Sequence, residues 1–381
     1  MTTVLEILFW LSLAALVWTH FAYPLVTAVW AKVRPWPIQA AEILPTVSLI
    51  IPAYNEEAVI RAKLENALSL DYPRELLEIV VTSDDSSDAT HEIVQTYADR
   101  GVRLIHCARG GKVAAQDRAV RETTGEIVAF GDANVIWDTD SIRQLVRPMA
   151  DPKVGMVCGY VRLVNPAGGT NQEGVYWRYE MWLRKRESDI HSVTGSNGAI
   201  YAVRRDAYRD VDPRFGHDMS FPYLMVQNGY RAVYWPQAGA TENMTTNIED
   251  EFRRKVRMFE HAWLMLFKGK MFGIRRLGPT YWIELVSHRL LRYWSGPLHI
   301  VLLVTSLILA PQGGIYAVVL GLQLLALVLV VLSMLTGGRF RLLRVLHYYF
   351  LVTIATVIAL AGYLRHGVPA TWDKAAGTRT T

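Results

Sequence analysis

Ile127-Val128-Ala129-Phe130-Gly131-Asp132-Ala133-Asn134 is the stretch whose reading decides the fold. Four apolar residues without polar alternation read as a strand buried on both faces, the pattern of a parallel sheet covered by helices. A glycine and a carboxylate follow at once. In open α/β sheets ligands bind just beyond the carboxyl ends of the strands, so Asp132 is expected at a binding crevice. Asn134 lies two residues on, and in an extended backbone its side chain points the same way as that of Asp132. A carboxylate and an amide oxygen on one side suit a hard divalent cation that a diphosphate also ligates. A turn-capping role for Asp132 is the plainer alternative, and Asp-x-Asn alone does not exclude it.

Working upstream, Val47 to Ile51 reads as a strand ended by Pro52, and Glu56 to Leu68 as an amphipathic helix. Leu77 to Val81 is a second strand, followed by the acidic turn Ser83-Asp84-Asp85-Ser86-Ser87-Asp88 and a helix from Thr90 to Tyr97. Val102 to Ile105 is a third strand, and Gly110-Gly111-Lys112 opens a helix running to about Glu122. This alternation predicts a doubly wound, mostly parallel α/β sheet. Downstream come a strand from Val154 to Leu163, a helix from Tyr176 to Ile190, and a glycine-rich turn and strand from Val193 to Val203. A helix from Phe221 to Asn228, a strand from Tyr230 to Tyr234 and a basic helix from Ile248 to Phe267 follow.

The chain has 381 residues, 51% of them hydrophobic, and the apolar excess is concentrated at the two ends. Apolar runs cover Val4 to Trp30, Pro297 to Ala310, Ile315 to Leu335 and Leu346 to Tyr363. A helical span takes about 20 residues, so these predict one span before the sheet domain and about three after it. The first run is too long, and lacks the basic start, for a cleaved signal peptide. Lys32 and Arg34 follow it, and a basic loop from Gly337 to Arg344 separates the last two runs. Positive charge marks the cytoplasmic side, so the domain between is expected in the cytosol of a multi-pass inner or plasma membrane protein. The 12 Trp and 18 Tyr suit membrane–water boundaries. A net charge of +5 without a dense basic block excludes a nucleic-acid partner and suits anionic headgroups and a phosphate substrate. Cys107 and Cys158 lack metal-ligand spacing and fit a reducing compartment. The division expected is a membrane helix at 1–31, a linker at 32–45, the α/β domain at 46–247, interfacial amphipathic helices at 248–292, membrane helices at 293–364 and a tail at 365–381.

Several short stretches carry chemistry. Tyr54 offers a ring face and Glu56 an acceptor at the end of the first strand; an acidic residue in a helix's first turn is also favoured by the dipole. Asp84 ends the second strand, where an Asx turn and helix capping by Asp88 or Thr90 are alternatives. Lys112, opening a helix after two glycines, suits a phosphate, though a surface lysine looks the same in sequence. Gly195-Ser196-Asn197-Gly198-Ala199 permits close backbone approach, or is simply a tight turn. Asp218 is a lone carboxylate preceded by His217, which either tunes its pKa or caps a helix. Arg253-Arg254-Lys255-Val256-Arg257-Met258 suits a diphosphate or a membrane surface. Trp182 lies in an aromatic and basic helix whose rings either stack on sugars or anchor at the interface.

Together, Pro52 to Glu56, Ser83 to Asp88, Gly131 to Asn134 and the Asp218 region with Arg254 to Arg257 resemble a family 2 glycosyltransferase of GT-A fold, over roughly Val47 to Trp263. The flanking spans are similar to those of membrane-integrated cellulose, chitin, hyaluronan and poly-N-acetylglucosamine synthases. The resemblance implies that Tyr54, Glu56, Asp84 and Lys112 hold a nucleotide, with Asp84 on the uracil imide, and that Asp132 is the first acidic residue of an Asp-x-Asp motif. Asn134 departs from the usual second Asp, and Asp85 stands where the family commonly has Gly. It implies Asp218 as general base, with His217 where an acidic residue is usual. Arg254 and Arg257 fall in the place of Gln-x-x-Arg-Trp, with Met258 replacing the Trp. It places Ser196, Asn197 and Trp182 beside the acceptor. The activity implied is inverting transfer, dependent on Mg2+ or Mn2+, from a UDP-sugar such as UDP-GlcNAc or UDP-glucose to a growing polysaccharide. Transfer of one sugar to a lipid or lipid-linked saccharide is the alternative. A catalytically idle nucleotide-binding scaffold is a third reading, supported only by Asn134 and His217.

Overall fold

The computed structural model describes residues 2–164, 172–243, 248–336 and 340–370. Eight strands form one sheet: β1 (Val47–Ala53), β2 (Leu77–Asp84), β3 (Val102–Cys107), β4 (Ile127–Gly131), β5 (Val135–Trp137), β6 (Val154–Val164), β7 (Ile200–Arg204) and β8 (Arg231–Asn243). Their order is β3-β2-β1-β4-β7-β6-β8-β5. The first four strands are parallel, Val47 pairing with both Leu77 and Ile127. The chain winds outward from β1 through β2 to β3 and then crosses to β4 on the other side of β1. The strand order therefore reverses between β1 and β4, which opens a crevice at their carboxyl ends. Beyond β4 the sheet is mixed: β7 runs antiparallel to β4 and β6, and β5 antiparallel to β8. The parallel expectation holds throughout the half that builds the crevice and, in the other half, for β6 and β8, which also pair in parallel.

β-branched and aromatic side chains explain the sheet. Leu49, Ile50, Ile51, Val80, Val81 and Phe130 are fully enclosed, with odd and even members facing two separate cores above and below the sheet. Burying each such side chain contributes about 1.5–3 kcal/mol, which is why unbroken apolar runs mark these strands.

The helices are α1 (Thr2–Val33), α2 (Ile60–Leu68), α3 (Thr90–Gln95), α4 (Lys112–Arg121), α5 (Ser141–Val146), α6 (Gln172–Ile190), α7 (His217–Gln227), α8 (Ile248–Lys268) and α9 (Ile274–Leu285). Then come α10 (Ser295–Leu309), α11 (Gly314–Leu335) and α12 (Arg341–His366). Among the described residues four helices are long and apolar enough to cross a membrane: Thr2–Val33, Ser295–Gln312, Gly314–Leu335 and Leu342–His366. Residues 337–339 of the basic loop, and the tail from residue 371, lie outside the described residues.

Three helix starts differ from expectation, the first being that of α6, at Gln172 rather than Tyr176. α2 begins at Ile60 rather than Glu56, because the Glu56 and Glu57 amides are taken by Thr90 Oγ1 and Asp88 Oδ2 at 2.9 and 3.1 Å. α7 begins at His217 rather than Phe221, which puts Asp218 in a helical first turn.

Candidate active site

The site is assembled at the β1/β4 crevice. At the end of β1, Asn55 takes a left-handed φ of 53°. Its Oδ1 accepts from the Ser87 amide at 2.7 Å, and its own amide donates to Ser86 Oγ at 3.0 Å. The two loops expected to hold a nucleotide are thus fastened to each other. Asp85 also sits in the left-handed region, at φ 61°. Glycine is suited to that conformation, while Asp tolerates it through local hydrogen bonding. Asp88 makes the expected Asx-type contact, its Oδ1 accepting from the Thr90 amide at 3.0 Å.

Asp84 is buried, and its carboxylate is occupied by the protein. It accepts from the Gly110 amide at 2.7 Å, the Gly111 amide at 3.0 Å and Arg109 Nη1 at 2.6 Å. The Arg109 guanidinium also covers the Tyr54 ring, 3.3 Å from its centroid. Asp84 therefore shapes the loop after β3, where the sequence reading has it contacting a base directly. Glu56 lies beside this loop pair and is buried. The adjacent Gly-Gly-Lys motif is legible in the sequence, whereas nothing in the sequence marks Arg109 in front of it as the partner of Asp84.

That loop delivers Lys112 to the opposite wall, where its ammonium pairs with Asp132 Oδ1. A divalent metal binds carboxylate oxygens, so it would take the place that the Lys112 ammonium holds on Asp132. Asn134 is placed differently from expectation. Residues 132–135 form a turn, with the Val135 amide donating to the Asp132 carbonyl at 3.2 Å, so the two-residue alternation of an extended strand does not apply. Asn134 Nδ2 instead donates to Glu242 Oε1, 3.2 Å away at the end of β8. A carboxylate thus stands beside the amide that replaces the usual second Asp. Its origin 108 residues along the chain gave no sequence signal. Oxygen donors from Asp132 and Asn134, with Glu242 adding charge nearby, fit a hard divalent cation.

Beneath the turn lies Lys63, fully enclosed on α2, its Nζ donating to the Val135 carbonyl at 2.7 Å and lying 4.9 Å from the Trp137 ring centroid. Burial lowers its pKa from 10.5 to about 7, against a smaller opposing pull from Asp132. The unfolded chain keeps this lysine protonated up to its ordinary pKa, while the folded chain releases the proton from about pH 7. Stability is therefore expected to rise with pH between about 7 and 10, by at most about 1.4 kcal/mol per pH unit. Thermal melts of wild type and Lys63→Met across that window check this: the rise should disappear in the variant.

Asp218 closes the crevice. A Cβ placed on Gly198 would lie 3.8 Å, an ordinary contact distance, from both Asp218 Cγ and Lys112 Nζ, so the two groups flank this residue. Asp84, Asp132 and Asp218 are thereby linked in one cleft through the 109–112 loop. Their engagement differs: Asp84 is paired with Arg109 and Asp132 with Lys112. Among the described residues the Asp218 carboxylate has no ion-pair partner. His217 is not a cap. It is buried behind Asp218, hydrogen-bonded through Nδ1 to Tyr201 Oη at 2.9 Å and stacked on Phe221 at 4.1 Å. Burial lowers the proton affinity of the imidazole, against an opposing pull from Asp117, whose Oδ1 lies 3.5 Å from Nε2.

The loop after α6 faces Asp218. Ser196 is buried, and both its amide and its hydroxyl donate to the Asp218 carbonyl, at 2.6 and 3.1 Å. Asn197 keeps a buried Nδ2 without a partner among the described residues. Gly195 admits Arg289, whose Nη2 would lie 2.3 Å from a Cβ. Arg289 Nε donates to the Thr194 carbonyl at 3.2 Å.

Behind this loop a buried network reaches the first membrane helix. Tyr23 Oη donates to Glu187 Oε1 at 2.7 Å, Thr194 Oγ1 to Glu187 Oε2 at 3.0 Å, and His288 bridges Glu187 and Glu180. Burial alone would raise the Glu180 carboxyl, but His288, Arg292 and Arg289 hold it well below the usual range.

Trp182 is not brought to the loop. It is on the outer side of α6, 38% exposed, with Tyr179 and Arg186 as its ring neighbours. Arg254 pairs with Glu251 on its own helix at 2.8 Å. Arg257 lies on the same helix one turn before His261, whose proton affinity both Asp218 and Arg257 influence.

Residues 48–212 match the family model described as Glycosyl transferase family 2. The chain is 28% identical over 255 residues to the probable glycosyltransferase YdaM of Bacillus subtilis, covering 61% of this chain and 59% of that one. It is 28% identical over 186 residues to the beta-monoglucosyldiacylglycerol synthase of Trichormus variabilis, covering 47% and 40%. The chain thus spans well under two thirds of the length of these relatives. In fold it resembles the mannosyltransferase PcManGT of Pyrobaculum calidifontis, solved with GDP-Man and Mn2+, with a TM-score of 0.70 at 23% identity. That likeness covers 94% of this chain and 99% of the other, so it takes in the membrane helices.

Proposed function

We propose a reaction from one premise, that residues 48–212 belong to glycosyl transferase family 2 and give the chain a GT-A glycosyltransferase domain. The reaction is inverting transfer of a sugar from a nucleoside-diphosphate donor, UDP-GlcNAc or UDP-glucose in the first instance, to a growing glycan at the membrane. The observation that carries it is the unequal engagement of three carboxylates in one cleft. Asp84 orders a loop and Asp132 holds a cation, while Asp218 is left uncommitted beside Lys112.

Inversion needs one carboxylate to take the acceptor's proton as its oxygen attacks C1. Asp218 is that base. Lys112 and the helix N-terminus it opens stabilise the departing diphosphate. Arg257 adds positive charge from α8. Tyr54 and Arg109 frame the base-binding end. Asp132 and Asn134 would hold a divalent cation, Mg2+ or Mn2+, which would supply charge neutralisation for the leaving diphosphate. The neighbour's Mn2+ supports this cofactor. The four apolar helices support membrane integration, and the cytosolic placement of the transferase domain rests on the positive charges at Lys32 and Arg34.

A second reading, one sugar added to a lipid or lipid-linked acceptor, is favoured by a particular residue. Met258 stands in place of the Trp of the family motif and is 44% exposed, so it offers no aromatic floor for a growing chain. The diacylglycerol-directed name of one relative supports the same acceptor class.

The test uses full-length protein in native-like membranes with Mn2+ and radiolabelled UDP-GlcNAc, UDP-glucose or GDP-mannose. Release of UDP with a ladder of products is expected. A single added residue would select the second reading, and GDP release alone would replace the donor. Intact donors throughout would end the proposal.

A further inference from the structure

Asp218 and Pro222 are four residues apart in α7, which is the hydrogen-bonding distance of a helix. Proline has no amide hydrogen, so the carbonyl four residues before it loses its helical donor and is pushed aside by the ring. A buried carbonyl without a donor is costly and normally finds one elsewhere. Here the orphaned carbonyl belongs to Asp218, and it receives the amide of Ser196 at 2.6 Å and its hydroxyl at 3.1 Å. The opposite side of the same loop is fixed by Arg289 against Thr194 and Gly195.

We propose that Pro222 is a positioning residue: by withholding an amide hydrogen it docks the 194–198 loop onto the backbone of Asp218. The loop and the carboxylate then move as one body, and Gly198 keeps its place between Asp218 and Lys112. This rests on Asp218 being the base of the proposed transfer. It also explains why Ser196, expected to meet the acceptor, has both polar groups turned to the protein. Asn197, with its unpartnered buried amide, is left as the loop's polar contact for an acceptor.

Any residue with an amide hydrogen at position 222 offers Asp218 an intrahelical partner in competition with Ser196. Pro222→Ala and Pro222→Val both do so and differ in volume, so an effect shared by them reports the hydrogen bond and not a cavity. Helix propensity improves in each, which offsets the volume change at this buried position, so both are expected to fold, and their thermal midpoints are measured alongside. Hydrogen exchange of the 194–198 segment in full-length protein should speed up at least tenfold. Turnover should fall at least tenfold, with the donor KM within twofold of wild type. Exchange and turnover unchanged in both variants would overturn the proposal. If wild type transfers no sugar, the functional reading fails separately, and the exchange measurement still decides whether Pro222 controls the docking.

Discussion

Asp218→Asn is expected to lower turnover by about 10²–10⁴-fold, the usual worth of a positioned general base, while nucleotide binding is retained. The amide is isosteric with the carboxylate and keeps the first turn of α7, but it cannot accept a proton from an acceptor hydroxyl. The backbone around it should not move, because the Asp218 carbonyl, and not its side chain, carries the bonds to Ser196. Nothing in the nucleotide loops depends on it either: those are held by Asn55 and Asp84. Calorimetry with UDP or GDP alongside a turnover assay separates the two effects. Turnover preserved in Asp218→Asn would remove this residue as the base. Lost nucleotide binding would make it a donor contact instead.

Asp132→Asn is expected to cost at least 10²-fold in kcat/KM, about 2.7 kcal/mol of transition-state stabilisation. The distinguishing result concerns the metal. In the folded chain Asp132 is paired with Lys112. Removing its charge deprives a divalent cation of its one carboxylate in the Asp-x-Asn motif, and releases the ammonium for the phosphates. Without metal, the variant should therefore bind a nucleoside diphosphate as tightly as wild type or more tightly. With Mn2+, wild type should gain affinity and the variant should not. Manganese titrations followed by electron paramagnetic resonance, with and without nucleotide, read this directly. A variant that still gains affinity from Mn2+ would remove Asp132 from the metal site.

Much of this cleft was legible because the residues that build it lie at the ends of apolar runs. Tyr54 and Asp132 each follow a strand and Asp84 ends one, and strand ends are readable from the apolar pattern. Their roles were less legible. Asp84 looked like a base reader, yet two amides and a guanidinium from the loop after β3 fill its oxygens. Asn134 looked aligned with Asp132, yet a turn redirects it to Glu242. Trp182 shares a helix with the buried Glu180 and Glu187 but points away from them, and its aromatic character alone does not fix the face it occupies.

The sequence by itself determined the alternating α/β core, the apolar segments on either side of it, and the carboxylates that line the crevice. Those follow from periodicity and from residues adjacent in the chain. Only the tertiary structure decided which of the carboxylates is occupied, because occupancy depends on donors brought from elsewhere: Arg109 to Asp84, Lys112 to Asp132, Asn134 to Glu242 and Ser196 to the Asp218 backbone. Hydrogen bonds act over about 3 Å and are indifferent to separation along the chain, so a pattern read along the chain cannot contain them.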